Sequence, residues 1–311
     1  MNKRPLSALG SRSRRLVCLL LLFILLPAAC RENPRRVVPL VVASADSVEQ
    51  QILGALTLLY LEDLGYRVED KTNLGGAWAM RSALKAGRVD LCWEYTGTTW
   101  QEYLVHDRPI PDAEELYRRV REEDAQQGIA WLTPTSVRHQ LVLAVRREQA
   151  TALGLRTISD LVRHVNQRES DMMLCTPREL YDTARGIRGL ERVYGVQFRK
   201  SLVRFGSGQQ GFEELKAGRC DCAFGYTTDA ALVGDLYWLE DDRRFVQPSQ
   251  LAIGVRLEVL AKLPELEGEL ERLAAALTQE ELAAMQRQVL KEGAKPRAVA
   301  KRFLGEQKLG R

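Results

Sequence analysis

Few side chains in this chain could do covalent chemistry, and their spacing excludes most of it. The three histidines, His106, His139 and His164, stand at no metal-ligand spacing from cysteine or carboxylate. No serine sits in a Gly-x-Ser-x-Gly elbow, and there is no phosphate loop. Asp241-Asp242 reads as a turn that caps a strand rather than as an acid–base pair. Gly75-Gly76 marks a tight turn with a possible ligand contact. No cofactor and no metal site is expected. What the sequence does repeat is a tyrosine. Residues 84–96 read LKAGRVDLCWEYT and residues 215–227 read LKAGRCDCAFGYT, with eight of thirteen positions identical at an offset of 131. Tyr95 and Tyr226 close the two copies. With Trp78, Trp93 and Trp100 near the first, their rings suit cation–π attraction to an ammonium solute; Trp93, two residues before Tyr95, reads as core.

Each copy is a helix end running into a buried strand. Gly87 and Gly218 fit the C′ position, where positive φ suits glycine. The short apolar runs after them place each tyrosine at a strand's C-terminal end, where open α/β sheets bind ligands. The order from Val37–Ser44 through helix Glu49–Leu64, strand Tyr66–Val68 and a helix ending at Lys85 is βαβαβ, which predicts a parallel arrangement. Helix Asp112–Gln127 follows, then strand Gln140–Val145, helix Ile158–Val165 introduced by Thr157 with Ser159 as its candidate cap, and strand Asp171–Thr176. Further on come helix Arg188–Tyr194 and strand Leu202–Phe205. After Asp229 the pattern changes to strands Leu236–Leu239 and Leu251–Val255, then mainly helix. Thr278 with Glu281 makes a capping box.

The first 29 residues read as an export signal, with Lys3, Arg4, Arg12, Arg14 and Arg15 before the apolar run Leu16–Leu26. That run is short for a membrane span. Cys30 follows small residues and is the expected lipidation site, with residues 31–36 as a tether. Removing the signal takes five of the 45 basic and none of the 41 acidic residues, leaving a net charge of −1. Nucleic acid is therefore not indicated. The remaining length suits two lobes, expected as 37–134, 135–229 and a return to the first lobe over 230–311. Of the cysteines outside the export segment, Cys175 with Cys220 or Cys222 could form a disulfide in the envelope, although buried free thiols are the expected state.

These motifs resemble the substrate-binding proteins of osmoprotectant ABC transporters, the glycine betaine, choline and carnitine family. The likeness runs from about Val42 to Leu304. It is carried by Ser44 with Glu49-Gln50, Leu74-Gly75-Gly76, Glu94-Tyr95-Thr96-Gly97-Thr98, Ile158-Ser159-Asp160-Leu161, Tyr194-Gly195, Thr228-Asp229 and Leu239-Glu240-Asp241-Asp242. It implies a two-lobed type II periplasmic binding protein, α/β in class, with two hinge crossovers and a cleft between the lobes. It also implies an exported, lipid-anchored monomer that hands solute to an ABC permease.

The family cages a trimethylammonium group with tyrosines. Tyr95 and Tyr226 retain two of those positions; the other two fall at Leu141 and Ser249. The family's lysine falls at Ala45 and its carboxylate-clamping arginine at Thr183, with Arg178 or Arg185 as substitutes. Ser44, Gly76 and Thr98 complete the expected ligand set, and Gln140, Thr183 and Ser249 are expected to form hydrogen bonds. Losing two cation–π contacts of roughly 2 kcal/mol each lowers affinity by about three decades. Weak betaine binding, or another solute, is therefore expected. A sensor with the same fold is a second reading. An enzyme using Glu94, Asp46 or His139 is a third.

Overall fold

The computed structural model describes residues 39–106, 108–168, 172–198, 202–206 and 208–310. The export segment, Cys30 and the tether lie outside the described residues. Ten strands form two five-stranded sheets. The first contains β1 (Leu40–Ala43), β2 (Val68–Lys71), β3 (Leu91–Tyr95), β4 (Ile129–Trp131) and β10 (Leu251–Arg256), in the order β2-β1-β3-β10-β4. The second contains β5 (Leu141–Arg146), β6 (Leu174–Pro177), β7 (Val203–Gly206), β8 (Cys222–Tyr226) and β9 (Leu236–Trp238), in the order β7-β6-β8-β5-β9. The two orders are the same arrangement built twice. In each, three parallel strands are followed by an antiparallel strand that enters after a crossover. The parallel expectation therefore holds for β1–β3, but each whole sheet is mixed.

The repeat works identically in both lobes. Gly87 and Gly218 take φ of 69° and 73° at the helix ends, a conformation costly for other residues. The aspartate of each copy pins the neighbouring strand twice. Asp90 N–H donates to Val41 O at 2.9 Å, and its carboxylate accepts from Val41 N at 2.8 Å. Asp221 N–H donates to Met173 O at 2.8 Å, and its carboxylate accepts from Met173 N at 2.8 Å.

The sequence carries a second internal match in the crossover strands. Gln140-Leu141 through Val145-Arg146 corresponds to Gln250-Leu251 through Val255-Arg256. Leu141 pairs with Tyr226 and Leu251 with Tyr95. Arg146 caps the Leu215 and Cys220 carbonyls, and Arg256 caps Gly87 O.

Several elements differ from the sequence reading. Strand β9 pairs with β5 in the second sheet, so the second lobe extends past the expected boundary at residue 229. Strand β2 begins at Val68, the first residue in register with β1, and Tyr66 is instead buried in the first core, where its hydroxyl donates to Glu269 at 2.6 Å. Thr157, not Ser159, caps helix Ile158–Arg168: its hydroxyl accepts from Asp160 N at 3.1 Å. Ser159 N–H goes instead to Asp242. Asp241 accepts from the Tyr194 hydroxyl and from Val246 N, so the aspartate pair is a structural cap. Thr278 and Glu281 form the expected capping box.

Cys175 and Cys220 form a disulfide, whereas Cys92 and Cys222 are free and buried. The expectation of free thiols fails for that pair because β6 and β8 are adjacent parallel strands. Replacing both cysteines by alanine should lower the stability of the second lobe by about 2–4 kcal/mol, through a denatured chain freed of the link. Urea unfolding with and without reductant measures this. An unchanged midpoint would show that the link contributes nothing.

Candidate ligand-binding site

A cavity of about 380 Å³ lies between the lobes, within the range of small-solute sites. The first lobe supplies most of it. Ser47 caps helix Val48–Asp63 by accepting from Gln50 N–H, which brings Glu49 and Gln50 into the cavity wall. Strand β3 delivers Glu94 and Tyr95, then continues as helical turns to Tyr103, which also lines the cavity. The second lobe contributes Gln209, Thr228 and Asp229, and the first crossover contributes His139. Gly208 leaves room for Asp229, since a Cβ there would collide with the carboxylate.

The wall is acidic. Asp46, Glu49, Glu94 and Asp229 line it, and among the described residues no lysine or arginine does. Burial pushes the Glu49 carboxyl up to about 7, with nearby Asp229 adding to the rise. Hydrogen bonds from the Tyr95 hydroxyl and from Gln286 Nε2, the latter at 3.0 Å, oppose it. Burial likewise raises Glu94 to about 7, against the pull of the Arg81 guanidinium. Arg81 is itself buried behind the wall, paired with Asp124, and stacks 5.3 Å from the Tyr103 ring centroid. Gln50 donates to the Tyr95 hydroxyl, while its Oε1 is buried without a partner among the described residues.

At the hinge three rings stack. His139 lies 4.2 Å from the Tyr95 ring centroid and 4.5 Å from that of Tyr226, with interplanar angles of 25° and 9°. Burial lowers the His139 pKa to about 4, so the ring is neutral near pH 7.

Of the expected ligand set, Tyr95 and Thr98 line the cavity. Tyr226 presents a ring face to His139. Gly76 N-caps helix Ala77–Lys85, whose first residue is in the wall. Ser44 lies just behind, its hydroxyl accepting from Asn73 N. Gln140, Leu141 and Ser249 sit at the crossovers; the Ser249 hydroxyl accepts from Gly97 N at 3.1 Å. Thr183 is in the turn at 182–186 and, like Arg178 and Arg185, is not among the lining residues. Trp93 is core, its indole donating to Thr57 at 2.9 Å, although its edge reaches the cavity. The sequence reading missed Tyr103 and Gln209. The first lies eight residues past Tyr95 on the same continuous segment. The second lies within the Gly206, Gly208, Gly211 spacing between a strand and a helix, a signal for close packing.

Residues 38–306 match a family model described as the substrate binding domain of ABC-type glycine betaine transport systems. A glycine-betaine-binding protein of Pseudomonas aeruginosa is 32% identical over 267 residues, covering 84% of this chain and 85% of that protein. An ergothioneine transport permease/ergothioneine binding protein of Helicobacter pylori is 29% identical, over 91% of this chain and 51% of its own length. Among solved structures, apo YehZ from Escherichia coli superposes with a TM-score of 0.73 at 24% identity, over 86% of this chain and 98% of that one. That likeness supports the two-lobed fold.

Two buried carboxyls with raised pKa make stability depend on pH. The folded state holds their protons up to about pH 7 and the unfolded state only to about 4.5. Each therefore contributes stability below pH 4.5 that is lost as pH rises through 7, at most about 3 kcal/mol apiece. His139 has the opposite sign, losing stability as pH falls through about 4. Comparing Glu49→Gln with the parent isolates one carboxyl. The variant should gain relative stability from pH 5 to pH 8 in urea unfolding. An equal difference at both pH values would refute the assignment.

Proposed function

The chain belongs to the family of substrate-binding domains of ABC-type glycine betaine transport systems, and on that premise we propose that its cleft takes a small organic cation without a carboxylate. It is the solute-binding protein of an osmoprotectant importer rather than an enzyme, and it closes its two lobes on the ligand. In this reading it works outside the cytoplasm as a monomer. It is held at the membrane by a lipid on Cys30 through the tether 31–36, and it delivers solute to the permease. The lobes divide near residue 134 and again between β9 and β10. No helix among the described residues is long and apolar enough to cross a membrane.

One observation carries the choice of solute: carboxylates from both lobes line the cavity, and no lysine or arginine stands among the lining residues. The ammonium head rests against Glu49, Glu94 and the Tyr95 and Tyr103 rings, where charge attraction and the π faces act together. Glycine betaine would bring its own carboxylate into this wall. At an effective dielectric near 20, two like charges about 5 Å apart repel by about 3 kcal/mol, enough to outweigh one cation–π contact.

Choline should therefore bind at least tenfold more tightly than glycine betaine at pH 8, and its affinity should fall at pH 5.5 as Glu49 and Glu94 take up protons. Calorimetry on the purified protein measures both. Tighter binding of glycine betaine than of choline would sink the proposal.

A further inference from the structure

The two lobes repeat one another closely around the hinge, and one of the side chains that break the symmetry lies between the two repeat tyrosines. Gln140 and Gln250 occupy equivalent places, each exchanging two hydrogen bonds with the threonine after a repeat tyrosine. The residue before each glutamine also bonds the residue two past the repeat tyrosine, in one case its backbone and in the other its side chain. Ser249 accepts from Gly97 N, two residues past Tyr95. His139 bonds Thr228, two residues past Tyr226, through Nδ1 at 3.1 Å. Ser249 is small. His139 instead reaches the space between Tyr95 and Tyr226, where its ring lies 4.2 Å and 4.5 Å from their centroids. A cation within about 6 Å of a ring centroid gains cation–π energy. An ammonium placed where this imidazole lies would therefore face two tyrosines, one from each lobe.

The ring is held in that place. Both faces are covered, Nδ1 is bonded to Thr228, and its backbone N–H donates to Ser249 O at 2.8 Å. Among the described residues nothing pairs with Nε2. Since His139 lines the cavity, its Nε2 edge is the part left to face solute. We propose that His139 sets the specificity of the site: its imidazole fills the slot between the two repeat tyrosines, closes that slot to a methylated ammonium, and offers Nε2 to a hydrogen-bonding group of the solute. This rests on the reading of the cavity as an organic-cation site. The solute's head then sits in the first-lobe chamber, and its polar end meets the histidine.

The test titrates tetramethylammonium chloride and choline into the full protein, its His139→Ser variant, which copies the internal counterpart Ser249, and its His139→Phe variant. His139→Ser empties the slot and should bind tetramethylammonium at least tenfold more tightly than the parent. Adding Tyr226→Leu should remove most of that gain. His139→Phe keeps the slot filled and should show no gain. Because it lacks Nε2, its preference for choline over tetramethylammonium should fall about tenfold. A folded His139→Ser protein with no gain, or a gain equally large in His139→Phe, overturns slot filling. An unchanged choline preference in His139→Phe overturns the role of Nε2. If the parent binds neither cation, the proposed function fails, while the gain in His139→Ser still reports on the slot.

Discussion

Strand β3 pairs antiparallel with β10, and β8 with β5, and each pairing begins at the tyrosine that ends the repeat. There the Thr96 N–H donates to Gln250 O at 3.0 Å, and the Gln250 N–H donates back to the Thr96 hydroxyl at 3.0 Å. Thr227 and Gln140 exchange the same two bonds at 2.9 and 3.2 Å. These are buried or half-buried groups, for which a lost partner costs more than the bond contributes. Both crossovers are thus fixed to the ends of the tyrosine strands. The two crossovers also meet each other beside Tyr95, His139 and Tyr226, through the Arg138–Gln250 bridge and the His139 N–H to Ser249 O bond.

The acidic wall has an energetic consequence. Burying carboxyls is unfavourable, and Glu49 and Glu94 hold protons at higher pH than usual, Glu94 against the pull of Arg81. Arg81 pairs with Asp124 behind Glu94, with Trp131 donating to Asp124 at 2.7 Å, while Arg81 Nε and Nη1 are buried without a hydrogen-bond partner among the described residues. The guanidinium pulls the Glu94 pKa down, and burial outweighs that pull. An empty cleft therefore keeps its carboxyls partly protonated. The proposed cation would favour the ionised forms on binding and release protons.

The sequence made the repeat legible because its parts obey local rules: a glycine that ends a helix, an aspartate, an apolar strand and a tyrosine. Those rules placed β3, β8 and both helix ends. The edge strand Val68–Lys71 was harder to read, because VEDK has no apolar alternation and its pairing with β1 alone makes it a strand. The chamber was only half legible. Tyr95 and Thr98 follow from the motif, but Tyr103 depends on a wide helical turn after it. The partner of Tyr226 depends on a crossover that brings His139 across from β4. The disulfide needed the β6–β8 adjacency, which cysteine spacing alone does not encode.

Internal symmetry shows where specificity resides. Positions required for the fold are the same in both lobes: the glycine, the aspartate, the Tyr-Thr, and the Gln-Leu with its distant Val-Arg. Positions that differ are free of that requirement, and several of them bear on the cleft: Glu94 against Gly225, Thr98 against Asp229, Gly97 against Thr228 and His139 against Ser249. In the first lobe the glutamate adds charge to the chamber. In the second, Gly225 leaves space that the Phe212 ring closes. Most of the charged wall thus belongs to the first lobe, and the second lobe adds Asp229 together with Thr228 and Gln209. A solute whose positive end enters first and whose polar end faces the hinge matches that division, and a symmetric cage of two equivalent tyrosines does not.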